Sequence, residues 1–260
     1  MTQNLDGAIL DTTQTSLIVL NRIMELEGAT STELTTDLDI ASSTLHAHLN
    51  TLRKMGYIVK YGNEYYVGLK LLEFGERAKH REKLHDIATS HVHKMAHDTQ
   101  FEADFLIYEN GRLYLLYGEI GAAKDPNFRI GSTFHMHSTG IGKAILAEWP
   151  RDRVEDVIDR HGLPKQTENT ITTRQRLYEE LERANQRGYG INDEECMEGY
   201  RTIGAVVHDP FGNVIGGLGI GGPTYRVDND VIKETLVPIL LDTSEEFENQ
   251  LDGLDSIIYR

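Results

Sequence analysis

Residues 41–57 read Ala-Ser-Ser-Thr-Leu-His-Ala-His-Leu-Asn-Thr-Leu-Arg-Lys-Met-Gly-Tyr, and a tight hairpin through Val67 follows them. Leu45, Leu49, Leu52 and Met55 recur at helical spacing and form one apolar face. Ser43, Ala47, Asn50 and Lys54 fall on the opposite face, with His46 and Arg53 beside them. These residues are short, polar or basic, so that face is not built as a second core surface. A helix of this pattern can enter a DNA groove and present small hydrogen-bonding groups to base edges. Gly56 ends the helix. Two β-prone runs, Tyr57–Tyr61 and Glu64–Val67, then flank Gly62-Asn63, a two-residue hairpin signal.

Upstream, the pattern predicts a helix from about Ser16 to Glu27, with Leu17, Leu20, Ile23, Met24 and Leu26 as its apolar face and Gly28 as its stop. Thr30 or Ser31 caps a short second helix through about Asp37. Three helices and a two-stranded wing make a winged helix-turn-helix. Ser42, Ser43, Thr44, His46 and Ala47 lie in the first half of the third helix, the part expected to meet base edges. Asn50 suits adenine or a phosphate, and Arg53, Lys54, Lys60 and Asn63 at the wing tip suit the DNA backbone.

Downstream, Leu69 to about Asp98 is helical and polar and predicts a long connecting helix. Ala103–Tyr108 and Arg112–Tyr117 are strand-like around Asn110-Gly111, the strongest short hairpin signal. An apolar helix runs from near Gly142 to Glu148. Thr172-Thr-Arg-Gln175 reads as a capping box opening a charged helix to Arg187, which Gly188 closes. Strands follow around Thr202–His208 and Val214–Ile220. A last helix from near Asp228 reaches the mid-240s, bent at Pro238. This order predicts an α+β domain around an antiparallel sheet.

The chain of 260 residues fits one large domain or two smaller ones, and at 39% hydrophobic it can bury a real core. It shows no long uncharged apolar run and no signal-like N-terminus, and it has one cysteine, Cys196. A cytoplasmic protein without disulfide or membrane span is expected. The net charge of −15 sits badly with a polyanionic partner until its distribution is read. From Ala41 to Lys83 there are eight Lys/Arg against four Asp/Glu, a balance of +4 that leaves −19 for the remainder. Dense surface carboxylates keep a protein dispersed where salt screens other charges, so a halophilic cytoplasm is expected.

Three stretches together resemble IclR-type transcriptional regulators, over roughly residues 9–250. The first is the winged helix with Leu69-Lys-Leu-Leu-Glu-Phe-Gly75 behind the wing. The second is His137-Ser-Thr-Gly-Ile-Gly-Lys-Ala-Ile-Leu-Ala147. The third is Arg187-Gly-Tyr-Gly-Ile-Asn-Asp-Glu-Glu195 with Gly199-Tyr-Arg-Thr-Ile-Gly-Ala-Val-Val-His-Asp209 and Gly219-Ile-Gly-Gly-Pro223. With the acidic balance, the resemblance points to a haloarchaeal member. It implies an N-terminal tail (1–10), a DNA-binding domain (11–70), a linker helix (71–98), a GAF-like effector domain (99–253) and a C-terminal tail (254–260). It also implies a homodimer or homotetramer on a two-fold-related double-stranded operator, with a small-molecule effector modulating binding.

Carried over residue by residue, the family's acid pocket falls on Gly140, Asn192, Thr202, Gly219 and Gly221. The acid-binding members have aspartate at Asn192, cysteine at Thr202 and serines at Gly219 and Gly221. Losing two hydroxyls removes donors and widens the pocket, so a bulkier ligand, or none, fits better than a small acid.

Other signals read as structural. His93 and His97, with His85 and His91 nearby, are expected to be solvated helix histidines, and His135 and His137 hydrogen-bonded strand histidines, rather than metal ligands. Gly217-Leu-Gly219-Ile-Gly221 lies within a strand, not at the start of a helix, so it is no dinucleotide loop. Cys196 lacks a histidine partner and sits in an acidic stretch that raises its pKa. Asp193-Glu-Glu195 reads as a solvated acidic loop rather than a cation site. No cofactor, metal or catalytic residue is expected. The alternatives are a regulator whose second domain only dimerises, and a GAF-like enzyme with a DNA-binding appendage.

Overall fold

Ile23, Leu34, Leu45 and Leu49 are fully buried and converge from three helices, which fixes the N-terminal part of the chain. The computed structural model describes residues 7–80, 84–119 and 129–252, without the side chains of His85 and Asp252. The chain divides into two units, Met1–Arg81 and Glu82–Arg260.

The first unit holds α1 (Asp11–Glu25), β1 (Ala29–Thr30), α2 (Ser31–Leu38), α3 (Ser42–Lys54), β2 (Ile58–Tyr61), β3 (Glu64–Val67) and α4 (Lys70–Lys79). Thr30 caps α2 through a capping box. Its hydroxyl accepts from the Glu33 N–H, and the Glu33 carboxylate accepts from the Thr30 N–H. The wing forms as expected, and β1, which the pattern did not reveal, adds a third strand in the order β1-β3-β2. Gly28 makes the turn into β1 with φ +130, and a side chain there would overlap the Tyr66 ring.

Two expectations about the apolar faces need correction. Helix α1 begins at Asp11 rather than Ser16 and buries Val19 and Ile23, whereas Leu17, Met24 and Leu26 are exposed. On α3, Leu45, Leu49 and Leu52 are buried, but Met55 is its C-cap and lies exposed. His48, on the same helix, is buried and shares a 2.8 Å hydrogen bond between Nδ1 and Ser16 Oγ. The single connecting helix is also revised. Helix α4 ends at Lys79 with a turn at His80, and α5 (Leu84–Thr99) opens the second unit; residues 81–83 lie outside the described ones.

The second unit is a six-stranded antiparallel sheet in the order β6-β5-β4-β9-β8-β7. Its strands are β4 (Glu102–Glu109), β5 (Arg112–Glu119), β6 (Thr133–His135), β7 (Gly190–Asp193), β8 (Tyr200–His208) and β9 (Val214–Pro223). Against one face pack α5 and the C-terminal helix, around Phe105, Leu218, Phe247 and their neighbours. Against the other pack α6 (Gly140–Glu148), α7 (Arg151–His161) and α8 (Arg174–Arg187), around Ile145, Val154 and Leu177. Alternation along β4 sends Ala103 and Phe105 to the first core and Leu106 to the second. Strand β5 carries an extra residue, Leu116, opposite Phe105/Leu106, so Leu113 and Leu115 face the second core and Tyr117 the first.

The N-cap of α8 is Thr173, not Thr172, and Gly188 closes the helix with φ +78. The last helix runs as α9 (Asn229–Val231), a π segment (Ile232–Leu236) and α10 (Val237–Asp252). Pro238 has no N–H to give the Glu234 carbonyl, and the widened turn absorbs the loss.

His208 on β8 ties the two faces together. Its Nδ1 bonds Glu248 on α10 and its Nε2 bonds Glu148 at the end of α6, both at 2.7 Å. Both nitrogens donate only in the imidazolium form, and these two carboxylates raise the pKa from 6.5 to about 10. Because the folded value is raised, this stabilisation is complete below the unfolded value and is lost as pH rises through about 10. His208→Gln is therefore expected to lower the unfolding midpoint most at pH 6 and least at pH 10, as read by differential scanning calorimetry across that range.

Candidate nucleic-acid interface and ligand cavity

Helix α3 presents its outer face as the leucine spacing requires. Ser42, Ser43, Thr44, His46, Ala47, Asn50, Arg53 and Lys54 are all exposed, as are Lys60 and Asn63 on the wing. Among the described residues, the side chains of Ser42, Ser43, Thr44, His46, Asn50, Arg53 and Lys54 make no hydrogen bond or ion pair within the protein. Their polar groups stay available to a partner. Arg53 and Lys54 also lie in the last turn of α3, where cations suit the helix dipole. Lys60 lies over the Tyr65 ring, 5.0 Å from its centre.

In the second unit a cavity of about 380 Å³ lies between the sheet and the first turn of α6. Glycines create the approach. A Cβ at Gly204 or Gly217 would run into Ile141, and one at Gly140 would meet the backbone of Gly190 and Gly204. The strand glycines that mimic a dinucleotide motif thus let a helix sit on the sheet. Of the five carried-over pocket residues, Gly140, Asn192, Thr202 and Gly219 line the cavity. Gly221 does not; its α-carbon faces the Arg201 carbonyl and Thr202, with no space for a side chain.

Asn192 is buried, and its oxygen is already committed. It accepts from the N–H groups of Glu195 and Cys196 at 2.9 and 3.1 Å, while its amide nitrogen donates to Thr202 Oγ1 at 3.3 Å. That turn holds Glu195 inward, against the expectation of a solvated acidic loop. Glu195 pairs with Lys143 of α6, and their side chains are 8% and 1% exposed. Burial pushes Lys143 down and Glu195 up, and each partner's charge opposes the shift.

The residue that sequence reasoning missed is Asp104 on β4. It lines the cavity, and Oδ1 has no hydrogen-bond partner. A Cβ on Gly219, its cross-strand neighbour, would overlap that oxygen. Burial, and then the charge of Glu102, raise Asp104 from 3.8 to about 7. Cys196 also lines the cavity, and burial followed by Glu195 and Asp104 pushes its thiol to about 11, which makes it a poor nucleophile.

The histidines divide. His93 and His97 are solvated, but His91 is buried, stacks on Phe247 and bonds Gln250. His135 ends β6 and meets Arg112 at 2.7 Å. His137 sits in a 3-10 turn rather than a strand and donates to the Pro164 carbonyl at 3.2 Å. Burial lowers both to about 4.

A winged helix with a free polar face, joined to a domain with a partly open cavity, defines a DNA-binding transcriptional regulator. The family model described as bacterial transcriptional regulator IclR C-terminal matches residues 77–249, and that of the arsR family of bacterial regulatory proteins matches residues 13–60. The chain belongs to the IclR family. The arsR match reflects the winged helix, which many regulators share. The chain is 28% identical over 239 residues to the "Probable HTH-type transcriptional regulator ArcR" of Halobacterium salinarum, covering 90% of this chain and 91% of that one. It is 32% identical to the HTH-type transcriptional regulator KdgR of Escherichia coli, covering 78% of each. The crystal structure of the IclR protein of Thermotoga maritima superposes with TM-score 0.72 at 24% identity, over 93% of this chain and 98% of that one. These relatives are named as regulators, not enzymes. Among the described residues no helix is long and apolar enough to cross a membrane.

Proposed function

We propose that the protein acts as a homodimer or homotetramer that reads a two-fold-related operator, with a small molecule in the cavity setting its affinity. The observation that carries the DNA part is the exposed, internally unbonded face of α3. Ser42, Ser43, Thr44, His46, Ala47 and Asn50 would meet base edges, and Arg53, Lys54, Lys60 and Asn63 the phosphates. Self-association is supported by apolar residues that the first unit leaves exposed, among them Leu17, Met24, Leu72 and Phe74. The ligand part is supported by the cavity, lined by Gly140, Asn192, Thr202 and Gly219. A ligand would act only as far as it prefers one arrangement of the domains over another. The acidic balance supports a halophilic cytoplasm as the setting.

Salt titration tests the assignment. Each phosphate contact contributes roughly 0.9 to the slope of log affinity against log salt. Arg53→Ala with Lys54→Ala in both copies of a dimer is expected to flatten that slope by about 3 to 4 and to weaken all duplexes alike. Fluorescence anisotropy from low to near-molar potassium chloride reads it; an unchanged slope removes these residues from the interface.

A further inference from the structure

We propose that the ligand of the cavity carries a cationic nitrogen, an ammonium on an apolar body, which binds the Asp104 carboxylate. The inference rests on the cavity being the ligand site and names the class of molecule that fits it.

Three observations converge. First, Asp104 makes no hydrogen bond or ion pair among the described residues, although Oδ1 is closed off from solvent. A buried carboxylate without a partner is costly. Oδ1 lies closed against Gly219, so a turn of the side chain toward the cavity it lines would bring the carboxylate to a ligand donor. Second, the opposite strand makes room for it. Gly219 lies directly across from Asp104, and any side chain there would occupy the oxygen's place. Third, the charge of the site has the wrong sign for an anion. The described lining carries Glu102, Asp104 and Glu119 against one base, Arg129, with Tyr200 and Cys196 as its other titratable groups. Glu119 is paired with His93 of α5 at 3.1 Å, which leaves Glu102 and Asp104 as the acids that set the sign. Arg226 also acts on Glu102. Around these acids the walls are apolar, with Leu106, Leu115, Phe134, Ile141, Met197 and Ile203. A cation with a hydrocarbon body satisfies both parts.

The alternative is a carboxylate ligand that binds a protonated Asp104. The two differ in sign with pH. Burial holds Asp104 near 7, so a bound ammonium favours the ionised form and expels a proton. Its affinity rises between pH 6 and 8. A carboxylate must take up a proton, and its affinity falls over the same range.

The test uses the full chain and two matched pairs, cyclohexylamine with cyclohexanecarboxylate and phenethylamine with 3-phenylpropionate. Thermal shift and isothermal titration calorimetry are run at pH 6, 7 and 8, the calorimetry in buffers of different ionisation enthalpy. The amines are expected to raise the unfolding midpoint, to bind several-fold more tightly at pH 8 than at pH 6, and to release a proton. Asp104→Asn, close to isosteric, is expected to lower amine affinity at least 10-fold and to abolish its pH dependence. Asp104→Ala repeats the test should the asparagine variant fold poorly. Carboxylates binding in place of amines, or amines binding equally to Asp104→Asn, would overturn the ligand class and leave the cavity as a ligand site. If no member of either pair binds, the ligand class fails, and a thermal-shift screen of uncharged compounds then decides separately whether the cavity is a ligand site.

Discussion

Glu195→Ala is expected to lower the midpoint of thermal unfolding by on the order of 10 °C, more than any surface substitution in the second unit. The alanine leaves Lys143, 1% exposed, without its hydrogen-bonded counter-ion and with only the longer-range charge of Glu180 to oppose its burial. Breaking a buried pair in this way costs about 3–5 kcal/mol, and each kcal/mol moves the midpoint of a domain of this size by roughly 2–4 °C. The single change Lys143→Met is expected to cost a similar amount, because it strands Glu195 instead. Replacing both, Lys143→Met with Glu195→Leu, is expected to recover most of the loss, since an apolar pair avoids two desolvation penalties. Thermal unfolding of the four proteins measures the coupling. Simple addition of the two single effects would show that the pair is not a unit. The pair joins α6 to the turn before β8, so its loss also loosens a wall of the cavity.

Replacing Ser43, His46 and Asn50 together with alanine is expected to abolish operator preference while leaving the fold intact. All three are exposed and free of internal bonds, so their truncation removes no contact from the core of Leu45, Leu49 and Leu52. Each good base contact is worth about 1–3 kcal/mol of discrimination. Lost from both half-sites, three contacts account for roughly a thousand-fold or more, which reduces specific binding to the non-specific level. Circular dichroism and the unfolding midpoint should match the parent protein. Competition between an operator fragment and bulk DNA then isolates the lost specificity. A retained preference would place recognition elsewhere on the winged helix.

Local signals made the DNA-binding half legible. Helix α3, Gly62-Asn63 and Asn110-Gly111 announce themselves within a few residues, because a helical period or a tight turn is a short-range constraint. Helix α1 was harder. Leu17, Ile18, Leu20, Ile23 and Met24 surround much of its circumference, so periodicity alone does not separate the buried pair Val19 and Ile23 from the exposed rest. Helix α7 and strand β7 escape a reading of the sequence because one is charged at seven of its eleven positions, with two buried residues, and the other spans four residues. The cavity divides in the same way. The family resemblance placed four of its lining residues but gave no sign of Asp104, whose character depends on Gly219, a cross-strand neighbour over a hundred residues away. Lys143 and Glu195 meet across 52 residues, and nothing local marks either as buried. Composition makes Asp193-Glu-Glu195 a solvated loop, because it describes solvation on average and not where one carboxylate points.

The most direct measurement is a footprint of the full-length protein on genomic DNA, taken from low to near-molar potassium chloride. The account predicts protection of two related half-sites about one helical turn apart, each centred on a major groove, and persisting at high salt where charge attraction is screened. Uniform protection of every fragment, vanishing as salt rises, would contradict it: the free face of α3 would then touch only phosphates and read no sequence.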